Sequence, residues 1–225
     1  MQKGLKAQNK NKEFLTRFEK LSEKVWEKEL FNSPFLLDLF EGKISRKKFA
    51  NYLIQDYHYL GRFAQAMGMA TARAEDLFTM KMFGTHIKIT LDLEFPRVWK
   101  MMTRFGVRKT TLENSRPMPV TVAYTNFLFD TCSNCTSAEA IAAIHPCIFS
   151  YRYFGKKVRL ALKEYYHVPD SYISFTLYQK KIFSESGANT LEALSRGVPK
   201  IPEQKILEKF YEATKFERQF WDQNY

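Results

Sequence analysis

The sequence predicts an all-α fold, a single domain over residues 1–225 built as a bundle of about eight helices. Three observations lead there. Apolar residues recur at helical spacing through nearly every segment. The nine glycines and eight prolines stand between those segments rather than in runs. No stretch alternates with the period of two that a half-buried strand requires.

The elements follow in order. Phe14, Phe18, Leu21, Val25 and Leu30 form an apolar stripe over residues 12–31, and the polar, basic residues 1–12 before it read as a flexible arm. Ser33 and Pro34 supply a cap and a first-turn proline for a short helix that Gly42 stops. Ser45 caps a long helix reaching Glu75. A fourth runs from Leu77 to Phe105, bent at Pro96 and ended by Gly106. Residues 108–119 read as a loop. Helical spacing resumes from Val120 to Asn134, and Ser137 caps a segment that contains Pro146 and reaches Tyr166. Pro169 and Asp170 open another helix, which Gly187 breaks, and Gly197-Val198-Pro199 closes a short one. Pro202 starts the last.

Composition narrows the class. Hydrophobic residues make up 45% of the chain and phenylalanines number 20, which excludes a disordered protein. No apolar run is long enough to span a bilayer, and the basic start lacks the apolar centre of an export signal, so the expectation is a cytoplasmic protein without membrane contact. The formal charge of +11 invites a nucleic-acid reading. The basic pairs are scattered, however, and no phosphate loop, zinc finger or RNA-binding aromatic motif accompanies them; no nucleic-acid partner is expected. Cys132 and Cys135 have redox-like spacing but neither a second cysteine pair nor a strand before them, and read as two thiols at a helix end.

Three constellations carry chemistry. In the long helix, Tyr52, Asp56, Tyr59 and Phe63 share one face, so a carboxylate is set among aromatic residues. A carboxylate there needs a partner or a ligand, because isolated burial is costly. In His145-Pro146-Cys147, the proline kinks the helix just before the thiol, and Tyr151 lies one turn on. A free cysteine is more often plain core, and on spacing alone that reading leads. His145 faces elsewhere on a regular helix, which argues against a Cys–His dyad. In the last helix Glu217 falls among Phe216, Phe220 and Trp221, surroundings that raise a carboxyl pKa and suit a general acid near neutral pH.

Taken in order, the Gln55-Asp56 segment, Ala-Tyr-Thr-Asn-Phe-Leu at 123–128, His-Pro-Cys at 145–147 and Glu-x-Gln-Phe-Trp ending at Trp221 resemble the TenA/thiaminase II family, from about Pro34 to Trp221. The resemblance implies a haem-oxygenase-like all-α fold that binds no haem or other cofactor and forms a homotetramer. It implies hydrolysis of an aminomethyl-pyrimidine, or of thiamin, to hydroxymethyl-pyrimidine for thiamin salvage, with either substrate open. By the same resemblance Cys147 is the nucleophile that adds to the pyrimidine ring, and Glu217 is the acid/base. Asp56 binds the aminopyrimidine edge. Tyr59, Tyr124 and Tyr151 line the pocket or hold the cysteine and carboxylate. A family tyrosine after the cysteine helix falls on Tyr178, or on Phe175 if the segments are placed without a gap.

Two other readings use the same helices. Glu164 and His167 have Glu-x-x-His spacing, as in metal-dependent helical enzymes, but no second such motif exists and His167 stands beside Pro169; no metal is expected. His58 and His86 are single helical histidines and read as structural. A non-catalytic protein holding a flat aromatic ligand would need the same pocket with its groups misplaced by an ångström.

Overall fold

The computed structural model describes residues 2–170, 173 and 181–225. Among these residues it contains eleven α-helices and no strand. The first, α1 (Gln2–Glu29), takes in the stretch expected as a basic arm, because Gln, Lys, Leu and Ala are strong helix formers and carry the helix beyond its buried stripe. Phe14, Phe18 and Trp26 anchor that stripe in the core.

Two of the predicted caps form as their sequences suggest. Ser33 caps α2 (Pro34–Phe40) through the Leu36 amide, and Ser45 caps α3 (Arg46–Arg73) through the Lys48 amide. Gly42 ends α2 with φ 71°, a conformation open to glycine, and its α-carbon lies so close to the Tyr165 ring that a β-carbon would collide with it.

Asp76 caps α4 (Leu77–Ile89), which passes into a π turn, Thr90–Glu94, and then α5 (Phe95–Arg104). The irregularity precedes Pro96 instead of falling on it. Proline clashes with the carbonyl four residues back, here Asp92, and a widened turn over 90–94 makes room. The predicted loop after Gly106 holds a one-turn helix, α6 (Lys109–Glu113).

Next come α7 (Pro119–Asn134) and α8 (Ser137–His145). Thr136, one residue before the expected Ser137, caps α8 in a reciprocal box with Glu139. Every α8 residue from Ala138 to His145 is buried, so this alanine-rich rod forms the axis of the molecule. At its end Pro146 opens a second π turn, Pro146–Ser150, followed by α9 (Tyr151–Glu164). Gly187 does not break its helix: α10 (Lys181–Gly197) runs through it, since packing outweighs the roughly 1 kcal/mol that a helical glycine costs. The chain closes with α11 (Glu203–Asp222). Most of the helix predicted to open at Pro169 lies outside the described residues.

The helices pack as a bundle around α8. Helix α3 lies against α4, α5 and α7, while α10 and α11 flank α8. One continuous hydrophobic core runs through it, and at its centre Trp221 stacks on Tyr52 with ring centroids 4.4 Å apart. This arrangement points one face each of α3, α7, α9, α10 and α11, with both π turns, toward a common interior space. No described helix is long and apolar enough to cross a membrane.

Candidate active site

That space is an interior cavity. Its wall includes Asp56, Tyr59 and Phe63 from α3, Tyr124 from α7, Cys147 and Phe149 from the second π turn, Tyr151 from α9, and Glu217 and Phe220 from α11. Six of the seven residues singled out as a site are therefore neighbours. Tyr178 and its alternative Phe175 lie outside the described residues.

Cys147 is buried and donates from Sγ to the Ile144 carbonyl at 3.1 Å. Burial pushes its thiol pKa well above the usual range, and the nearby Glu217 and Glu94 charges push it further. The Tyr59 phenol acts in the opposite sense. Tyr59 Oη is buried without a hydrogen-bond partner at the distances of this structure, so it is placed to donate to the sulfur once that ionises. At rest this cysteine is a thiol, and a thiolate must be made during a reaction.

Glu217 is 2% exposed, and burial raises its carboxyl pKa from 4.5 to about 7. The Tyr124 hydroxyl donates to its Oε2 at 3.0 Å and holds that rise back, as do Tyr151 and Trp221 more weakly. Its Oε1 is buried and unpartnered. A carboxyl of this kind exchanges a proton readily near neutral pH. Tyr151 is positioned by Tyr52, with the two hydroxyls 3.1 Å apart.

Asp56 makes no hydrogen bond to the described residues and lines the cavity. Burial raises its pKa strongly, followed by the charges of Glu94 and Glu217. The neighbouring Gln55 is spent on structure: its Oε1 accepts from the Met118 amide and the Thr121 hydroxyl, tying α3 to the start of α7.

The histidines are held by packing or by hydroxyl groups. His145 sits in an aromatic cage of Phe18, Trp26, Phe149 and Phe210, with both nitrogens unpartnered and its pKa lowered by burial to about 3. His58 is held by Ser115 and His86 by Thr190. His86 does reach the cavity wall, which its sequence context gave no reason to expect. Glu164 ends α9, whereas His167 lies beyond it with φ 51°, so this pair does not share a helical face. Among the described residues no three His, Cys, Asp or Glu side chains converge as a metal site would require.

Glu94 is the acidic residue that sequence reasoning missed. It sits on the cavity wall at the end of the first π turn, and its Oε2 accepts from Thr90 Oγ1 at 3.1 Å. An acidic residue between Leu93 and Phe95 reads as the outer face of a regular helix. Its one available signal was Pro96, which forces the irregular turn that rotates it inward.

A sequence model of the TENA/THI-4/PQQC family matches residues 22–225. The chain belongs to this family. Among relatives of the TENA/THI-4/PQQC chain, the aminopyrimidine aminohydrolase of Halalkalibacterium halodurans is 28% identical over 204 residues, covering 89% of this chain and 90% of that protein. The protein of the same name from Bacillus subtilis is 24% identical, covering 89% and 85%. The TenA homologue from P. horikoshii superposes with a TM-score of 0.79 at 20% identity, over 95% of this chain and 97% of that one. A domain with a heme oxygenase-like fold from Shewanella denitrificans gives 0.81 at 18% identity, over 93% and 91%. The family member described here thus has the haem-oxygenase-like all-α fold.

Proposed function

We propose that this protein is an aminopyrimidine hydrolase of the thiaminase II type. It converts aminomethyl-pyrimidine, or thiamin, to hydroxymethyl-pyrimidine in thiamin salvage. It works in the cytoplasm as a homotetramer and without a cofactor. The observation that carries this reading is the meeting of Cys147, Glu217 and Asp56 in one aromatic-walled cavity. The two relatives named aminopyrimidine aminohydrolase, matched over most of their length, support the same activity.

The chemistry follows from the groups present. A flat, uncharged ring gains contact area from Tyr59, Tyr124, Tyr151 and Phe220, while the Asp56 carboxyl fixes its amino edge. Glu217 as carboxylate takes the Cys147 proton and passes it to a ring nitrogen as the sulfur bonds to a ring carbon. Aromaticity is lost in that step. The nitrogen electron pair then expels the amino group from the exocyclic carbon, leaving an exocyclic methylene, and the ring N–H proton passes through Glu217 to the departing amine, which leaves as ammonia. Water adds to the methylene carbon, the sulfur leaves with its electron pair and recovers a proton, and the ring becomes aromatic again. Ammonia and the alcohol are the balanced products. Tyr59 stabilises the sulfur whenever it carries charge.

Incubating wild type and Cys147→Ala with aminomethyl-pyrimidine and with thiamin tests this. Hydroxymethyl-pyrimidine should appear with wild type and fall by at least about a thousandfold in the variant, the usual scale for removing a nucleophile. Near-normal activity in a folded Cys147→Ala would refute the mechanism. Absence of product from wild type with both compounds would refute the function.

A further inference from the structure

We propose that His86 and Ser186 form a hydroxyl-binding subsite in the cavity, which takes the alcohol on the leaving group of thiamin. The inference rests on the aminopyrimidine reading and names the part of the ligand that meets a wall the proposed chemistry leaves unused.

His86 on α4 and Ser186 on α10 both line the cavity, and each is 4% exposed or less. A chain of hydrogen bonds fixes what each can offer. The Thr190 hydroxyl donates to the Ser186 carbonyl at 2.8 Å, which uses its one proton. At the 2.9 Å contact between Thr190 Oγ1 and His86 Nε2 the ring is therefore the donor. Burial lowers the His86 pKa to about 4, so near neutral pH the ring carries a single proton, the one at Nε2. Nδ1 is then an acceptor, and it has no partner among the described residues. Ser186 Oγ lies 3.4 Å from the same Nε2. That nitrogen already holds a proton, so the serine proton finds no acceptor there or elsewhere among the described residues.

One donor and one acceptor, both uncharged, are thus left over beside one imidazole ring. Leaving buried polar groups unmatched is costly unless a ligand matches them. An alcohol does so: its oxygen accepts from Ser186 and its proton goes to His86 Nδ1. An ammonium group cannot accept, and a carboxylate cannot donate. Thiamin carries a primary alcohol on the ring that is expelled, whereas aminomethyl-pyrimidine has only an amine there. The position suits a leaving group. A β-carbon on Gly187, next to Ser186, would lie 3.5 Å from both the Phe149 ring and the Arg152 guanidinium. Phe149 belongs to the π turn of Cys147, and Arg152 is exposed, so this wall of α10 runs from the nucleophile's turn toward the open side.

Calorimetry on Cys147→Ala, which lacks the proposed nucleophile, tests this with thiamin, its analogue bearing ethyl in place of hydroxyethyl, and aminomethyl-pyrimidine. Thiamin should bind about tenfold more tightly than the ethyl analogue, the scale of a hydrogen bond whose loss leaves a buried group unpaired. Adding Ser186→Ala keeps the His86–Thr190 bond. It should bring thiamin and the ethyl analogue within about twofold of each other and leave aminomethyl-pyrimidine unchanged. Equal binding of thiamin and the ethyl analogue with Ser186 present would overturn the proposal, as would failure to bind thiamin. Equal weakening of all three compounds by Ser186→Ala would make the serine structural and overturn it too. Turnover by wild type is a separate readout. Should neither thiamin nor aminomethyl-pyrimidine react while the hydroxyl preference holds, the functional reading fails and the subsite stands.

Discussion

Burial at Glu217 has a thermodynamic consequence that can be measured apart from turnover. Its carboxyl pKa rises from 4.5 in the unfolded chain to about 7 in the folded protein, so the folded state binds the proton more tightly. Stability from this group is fully present below pH 4.5 and is lost as pH rises through 7. Glutamine keeps an acceptor for the Tyr124 hydroxyl and carries no charge to bury. Glu217→Gln should match wild type in urea unfolding at pH 5 within about 1 kcal/mol and exceed it by about 3 kcal/mol at pH 8. A pH-independent difference would mean that Glu217 is not held in its protonated form by burial. The residues that sequence made legible, among them Asp56, Cys147 and Glu217, were so because each combined a reactive group with aromatic helical neighbours and the three occurred in a recognisable order. Glu94 lacked both signals.

At the scale of elements, the departures from regular helix concentrate where the cavity needs them. Both π turns lie next to a proline, and each brings a chemistry-bearing side chain to the wall, Glu94 in one and Cys147 in the other. Helical periodicity assumes a constant 100° step, so it misplaces residues after an inserted one. That is why helix existence was readable while the facing of Glu94 was not. The same blindness to packing explains Gly187, where the sequence offers a breaker and the helix continues. Gly42 is the converse case, a stop that sequence identified and structure explains twice over, by positive φ and by the Tyr165 ring. Gly42→Ala should lower the midpoint of thermal unfolding by about 5 °C or more, from backbone strain and overpacking together. Adding Tyr165→Ala should recover the overpacking part alone, leaving the strain. Full recovery in the double variant would show that φ at this site costs nothing.

For the whole molecule, the charge of +11 and the exposed apolar side chains pull in opposite directions. Leu77, Leu91 and Leu160 are each about half exposed or more, and tyrosines 153, 165, 211 and 225 also reach the surface. Burying such side chains between copies is favourable, whereas bringing together like-charged chains is not. The proposed homotetramer must therefore be held by apolar contact against long-range repulsion, and salt screens only the repulsion. Light scattering should give a mass four times the 26.6 kDa chain, with dissociation on dilution occurring at lower protein concentration in 500 mM salt than in 50 mM. Those salt levels, roughly either side of the 10 Å Debye length at 0.1 M, separate the two forces. A tetramer weakened by salt would mean that ion pairs hold it, and a monomeric mass at both ionic strengths would refute the assembly. We propose that the basic pairs, scattered through the sequence, mark no nucleic-acid site, so retention on DNA should vanish over the range in which the tetramer tightens.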